Sequence, residues 1–205
     1  MKIIVWDVDD VLNNLMEIWF YEKWTREHPE CSFSYDNLTE NPPHRILGVS
    51  LEDYLESLDS FRKESYMTLE PKAEVLHWFN LYGHKFRHIA LTATPIHTSS
   101  IVAHWVLKNF CKWIRTIHII PSFRHFDNSP VYEKNKGDFF EWFSRVDLFI
   151  DDSITNISLG TEKGIKTILW PQPWNRVNRS ISETLLDINK ILELEHEDES
   201  IRLRN

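Results

Sequence analysis

Cysteine is scarce. Cys31 and Cys111 are the only two in 205 residues, and their spacing fits neither a disulfide framework nor a cysteine-based zinc site. A reducing compartment, the cytoplasm, is the expected setting. Glycine, at 5 residues, and proline, at 9, are too few for a low-complexity chain. No apolar run approaches the length that spans a bilayer, and the amino terminus lacks the basic stretch and long apolar segment of a secretory leader. Positive charge is also short. The formal net charge of -8 opposes adhesion to long nucleic acid or to anionic membrane, although a local basic pocket can still hold a small phosphate compound. No internal repeat is visible.

What is present is core-forming material: 42% apolar residues, with 9 Trp and 12 Phe, enough for one folded domain or a domain carrying an insertion. Short, nearly continuous apolar runs at Ile3 to Trp6, His88 to Leu91, Ile117 to Ile120, Leu148 to Ile150 and Ile165 to Trp170 read as strands buried on both faces. Helical patterns lie between them, at Pro71 to Leu81, Ser99 to Phe110 and Lys136 to Phe143, with a last one at Ser182 to Leu194. The alternation predicts an α/β, Rossmann-like doubly wound parallel sheet. Residues 14–70 interrupt it with helical, aromatic-rich sequence and are expected to form a small cap, leaving 1–13 and 71–205 as the core. The charged stretch from Glu193 to Asn205 is expected to extend or fray from the last helix. His84 and His88 fall on a turn and a strand, so they are not expected to ligate metal.

The first strand breaks into Asp7, Asp9 and Asp10, and a later one breaks into Asp151 and Asp152. Right-handed crossovers bring the carboxyl ends of parallel strands to one edge of the sheet, so two motifs far apart in sequence become one anionic site. A divalent cation is the natural neutraliser. An isolated Asp after a strand is commonly a turn or cap residue, and for Asp10 and Asp152 a capping or supporting role competes with a direct one.

Four segments in this order, Asp7-Val8-Asp9, Leu91-Thr92-Ala93-Thr94-Pro95, Lys136-Gly137-Asp138 and Phe149-Ile150-Asp151-Asp152, resemble the haloacid dehalogenase-like hydrolase superfamily. The resemblance implies a Mg²⁺-dependent phosphatase with an aspartyl-phosphate intermediate. Asp7 would be the nucleophile and Asp9 the acid that protonates the leaving group and then activates water. Asp151, with Asp7 and the main-chain carbonyl of Asp9, would hold the metal, supported by Asp152. Thr92, Ala93 and Lys136 would bind the phosphoryl group, with Thr94 and Lys134 as the competing positions.

Within the superfamily the chain is most similar to 5'(3')-deoxyribonucleotidases, on Asp7-Val8-Asp9-Asp10-Val11-Leu12, the small insert that follows, Thr92-Ala93-Thr94-Pro95 and Leu169-Trp170-Pro171-Gln172-Pro173-Trp174-Asn175. It departs from mammalian members at Asp10, where they usually carry Gly, and in the second motif, where Thr-Ser-Pro stands in place of Thr92-Ala93-Thr94-Pro95. This implies a small phosphorylated substrate, a (deoxy)nucleoside monophosphate, with the base against cap aromatics such as Phe20 or Tyr21; a sugar phosphate is the alternative. Trp24 and Phe61 are assigned to the core. A receiver-like signalling domain would place its acids, Thr and Lys in a different order, and a catalytically silent phosphate-binding protein would keep the fold alone. A homodimer is compatible with a small cap, but nothing in the sequence demands one.

Overall fold

Five of the apolar runs are strands in the computed structural model, which describes residues 1–194. They are β1 (Ile3–Trp6), β2 (Arg87–Thr94), β3 (Ile114–Pro121), β4 (Leu148–Asp151) and β5 (Lys166–Leu169). They form one sheet in the order β3-β2-β1-β4-β5, every neighbouring pair parallel. Each crossover therefore returns to the same edge, and strand order reverses direction beside β1. That reversal creates the crevice in which α/β sheets of this kind bind ligands. Trp6 lies level with Ala90 on β2 and Ile150 on β4, so the residues one step further, Asp7 and Asp151, emerge side by side.

Helices cover both faces. The chain contains α1 (Leu15–Trp19), α2 (Thr25–Glu27), α3 (Leu51–Ser65), α4 (Ala73–Tyr82), α5 (Ile96–Phe110), α6 (Lys136–Trp142), α7 (Ile154–Glu162) and α8 (Ile181–Leu192). The alternation of side chains along β1 divides the core. Ile4 and Trp6 join the larger cluster with Trp78 and Phe79 of α4, Trp105 of α5 and Ile188 of α8, whereas Ile3 and Val5 face Phe139 and Phe140 of α6. At roughly 1.5–3 kcal/mol for each large side chain removed from water, this two-sided burial is what holds a four-residue strand in the middle of the sheet. His88 belongs to this core: Trp6 Nε1 donates to its Nδ1 at 3.0 Å, and its Nε2 faces the Gly83 carbonyl at 2.9 Å. Burial pushes its pKa down to about 4, so it is a neutral, satisfied core histidine.

The strands and helices differ from expectation mainly at their ends. β2 and β3 run longer than the apolar runs suggest, because Thr92 and Thr94 continue the ladder into the site. α7 has no counterpart among the expected helices. Its buried face is thin, with Gly160 lying against the Phe149 ring where a Cβ would approach to 2.9 Å, so it lacks a strong apolar stripe. Ser153 nevertheless accepts from Asn156 N at its start, a capping signal visible in sequence.

Residues 14–70 leave β1 and return at α4. α1 passes into a single π-helical turn, Phe20–Trp24, before α2, and the segment later forms α3, capped by Ser50, which accepts from Asp53 N. Trp24 and Phe61 are both buried. The stretch expected to extend from the last helix lies, beyond Leu194, outside the described residues. Among the described residues no helix is long and apolar enough to cross a membrane.

Candidate active site

Asp7 continues the ladder one residue beyond β1, its amide donating to the Ile150 carbonyl at 2.9 Å. Asp151 ends β4, and Asp152 follows. Carboxylate oxygens of Asp7, Asp151 and Asp152 lie within 4.8 Å of one another, and all three residues are buried. Lys136 reaches them from the first position of α6, with Nζ 2.7 Å from both Asp7 Oδ1 and Asp151 Oδ2 and only 2% of its side chain exposed. Asn135 fixes that helix start by accepting from Gly137 N and Asp138 N.

One lysine cannot neutralise three buried carboxylates, each of which costs several kcal/mol to remove from water uncompensated. Burial accordingly pushes the Asp7 carboxyl well above its ordinary range, against the opposing pull of Lys136. Burial, with the Asp151 charge behind it, pushes Asp152 up to about 8. Burial likewise raises Asp10 to about 7. A hard divalent cation with oxygen ligands relieves this excess charge, and an all-carboxylate donor set suits Mg²⁺. The residues present therefore fit the metal. Asp152, expected only as support, supplies one of the three clustered carboxylates. Asp10 serves the turn. At φ 64 it adopts the left-handed conformation after the strand, which Asp tolerates better than most residues, and its Oδ1 accepts from Met16 N at 2.9 Å.

The β4 side of the site is braced locally. Asp151 accepts from Ser153 N at 2.8 Å and from Asn156 Nδ2 at 3.0 Å. Trp174 Nε1 donates to Asp152 Oδ2 at 2.7 Å, and Asn175 Nδ2 donates to the carbonyls of Asp152 and Trp170 at 2.8 and 2.6 Å.

Asp9 turns its side chain away from the cluster. Its Oδ2 accepts from Arg62 Nη2 at 3.0 Å and its Oδ1 from the Tyr66 hydroxyl, both supplied by α3 and the turn after it. Asn13 donates to that same hydroxyl. Arg124, in the loop after β3, forks onto Asp59 of α3 at 2.7 and 2.9 Å.

A cleft of about 260 Å³ is lined by Asp7, Asp9, Thr92, Ala93, Lys136 and Asp152. Thr92, 1% exposed, has a buried hydroxyl that meets no hydrogen-bond partner among the described residues. Thr94 instead faces Thr98 at 3.4 Å, and Lys134 is exposed on the surface, so of each competing pair the cleft contains Thr92 and Lys136.

Neither aromatic candidate from the sequence borders this cleft. Phe20 is fully buried and Tyr21 is 49% exposed, its hydroxyl accepting from Tyr35 N at 3.4 Å; neither lines the cleft. The π-helical turn, which holds an extra residue, breaks the 3.6-residue register on which a face assignment depends. The cleft's aromatic side chain is Tyr54 of α3, together with Arg62, and sequence reasoning finds neither. A signal existed: Tyr54, Leu58, Phe61 and Arg62 share one helical stripe, and an arginine on a core-facing stripe calls for a partner.

Neither the protein-family models nor the curated proteins include a match to this chain. Solved structures do match. A hydrolase from Streptococcus pneumoniae TIGR4 superposes with a TM-score of 0.56 at 13% identity, covering 95% of this chain and 100% of that one. The putative HAD-hydrolase YfnB from Bacillus subtilis, a structure bound to magnesium, gives 0.52 at 15%, covering 94% and 99%. The fold is haloacid dehalogenase-like. Protein Tyrosine Kinase A of Mycobacterium tuberculosis also matches, with 0.58 at 11% over 88% and 89%, so the shared fold does not by itself dictate the reaction.

Proposed function

We propose that the protein is a Mg²⁺-dependent phosphomonoester hydrolase whose nucleophile is Asp7. The observation that carries this reading is the unpartnered, buried Thr92 hydroxyl opening onto the same small cleft as Asp7 and Lys136. A donor buried without an acceptor costs about 1–3 kcal/mol, and a phosphoryl oxygen is the acceptor this setting suits.

Asp7, Asp151 and Asp152, or water held by them, would bind the metal, which when bound offsets charge on the phosphoryl oxygens and on the carboxylates. Asp7 Oδ1 already accepts from Val8 N and Lys136, leaving Oδ2 to attack phosphorus. The new Asp7–phosphorus bond forms as the bond to the ester oxygen breaks, and Asp9 gives that oxygen a proton. Thr92 and Lys136 donate to the equatorial oxygens, where charge gathers in the transition state. In the second half, Asp9 takes a proton from water, the water oxygen bonds to phosphorus, and Asp7 leaves as a free carboxylate with phosphate as product.

The dimensions favour a small leaving group, because the cleft is at the low end for ligand pockets and Tyr54 is its one aromatic wall. A nucleoside monophosphate is the second reading. It is supported by a neighbouring recess of about 640 Å³ that shares Leu55 and Arg124 with the cleft and presents Phe123, Phe126 and His97, surfaces on which a base can stack. The test is phosphate release from an aryl phosphate, small sugar and acid phosphates, and nucleoside monophosphates, with Mg²⁺ and with EDTA. Metal-dependent turnover of any of them is expected; none at all would overturn the proposal. Turnover of nucleotides ahead of the compact esters would select the second reading.

A further inference from the structure

Asp9 is held from the inserted segment and not from the sheet. Arg62 donates through Nη2 to Asp9 and through Nη1 to Asp59 Oδ1 at 3.2 Å, and its side chain is only 7% exposed. Its third kind of donor, the Nε–H, is buried and meets no acceptor among the described residues. Arg124 holds Asp59 by two bonds, so the guanidinium plane of Arg62 is steadied from behind. Arg62 and Arg124 both face the cleft, next to Leu55 and Leu58. A rigid planar cation with an unused buried donor beside an exchangeable one matches the two-oxygen geometry of a carboxylate, which a hydroxyl cannot fill.

We infer that Arg62 is a specificity-determining residue that reads the leaving group, and that the substrate is a phosphomonoester with a carboxylate on or next to the carbon bearing the ester oxygen. This rests on the reading of Asp9 as the acid that faces the ester oxygen. Arg62 touches that acid through Nη2 at 3.0 Å, so a small group it binds in this cleft lies near the same oxygen. Binding exchanges partners: the substrate carboxylate takes Nε and Nη2 of Arg62, and Asp9 Oδ2 is released toward the leaving group. The compact cleft excludes a long spacer between the two anionic groups.

The test compares 2-phosphoglycolate with its neutral carboxamide isostere as substrates of the full-length protein in Mg²⁺, for the wild type, Arg62→Lys and Arg62→Met. The wild type is expected to favour the carboxylate by roughly tenfold or more in kcat/KM, chiefly through KM. Arg62→Met should bring the ratio to about one, and Arg62→Lys should retain only a minor part of it, since an ammonium is a point charge without the fork. Should Arg62→Met fail to fold, Arg62→Lys carries the comparison. A wild-type ratio near one, or an undiminished ratio in the variants, overturns the inference. Hydrolysis of other phosphomonoesters but of neither probe overturns it while leaving the hydrolase reading intact, and failure on every phosphomonoester removes both.

Discussion

After β4 the chain turns through Asp151 and Asp152 directly into α7, whereas after β1 it turns through Asp9 and Asp10 into a long segment that returns to the sheet only at α4. The acids on the β4 side are held by near neighbours, Ser153 and Asn156, and by the late loop carrying Trp174 and Asn175. Asp9 is held by Arg62 and Tyr66 from the segment of residues 14–70. One strand end is built as a fixed anionic seat. At the other, a carboxylate is held by an arginine that itself lines the cleft. The same short motif, an apolar strand breaking into acids, thus serves two purposes, set by what comes next in the chain.

The comparison breaks most sharply at Asp7, which both sides need. Asp7→Asn should lower phosphate release by roughly 10⁵-fold or more, measured as initial rate at saturating Mg²⁺; a loss under about tenfold would remove Asp7 as nucleophile. Asp9→Asn should cost about 10²–10⁴-fold, with a smaller loss on an aryl phosphate, whose leaving group needs less help from an acid. Lys136→Met tests the fixed seat, because it strands Asp7 and Asp151 without their buried cation. Urea unfolding should show a loss of about 3–5 kcal/mol without metal and a smaller loss with Mg²⁺. Asn175→Ala should cost about 1–3 kcal/mol and weaken Mg²⁺ binding, detected as a reduced rise in Tm on adding the metal.

The smallest effect expected is that of pH on the metal-free protein. Asp10 and Asp152 have folded-state pKa values of about 7 and 8, above those of an unfolded Asp, so the folded state binds more protons. Their contribution is fully present below the unfolded value and is lost as pH rises through the folded values. His88, depressed to about 4, acts in the opposite sense only below about pH 6.5. Between about pH 6.5 and 8 the Tm without metal should therefore fall, and Mg²⁺ should flatten the slope; a rising Tm in that window would contradict the under-neutralised cluster.

Much of the sheet was readable because parallel strands buried on both faces leave continuous apolar runs, and the acids at the ends of two of them were conspicuous against that background. α7 escaped because a helix packed through Gly160 and a thin apolar edge carries little periodicity. Phe20 and Tyr21 lie off the cleft, and the π-helical turn that carries them changes the direction in which successive side chains point. Arg62 and Arg124 were missed because the contacts that tie them to the site are to residues distant in sequence, Asp9 for the first and Asp59 for the second.

Local chemistry written along the chain was enough to determine where strands stop, which acids follow them, and that the excess negative charge needs a counter-ion, since these depend on residue type and short-range pattern. Only the folded structure decided that Asp152 joins Asp7 and Asp151, that Thr94 turns to Thr98 while Thr92 is left for the cleft, and that Arg62 reaches Asp9. Those outcomes depend on side-chain direction across elements far apart in sequence, and a shift of one residue in a helix or strand would have reversed them.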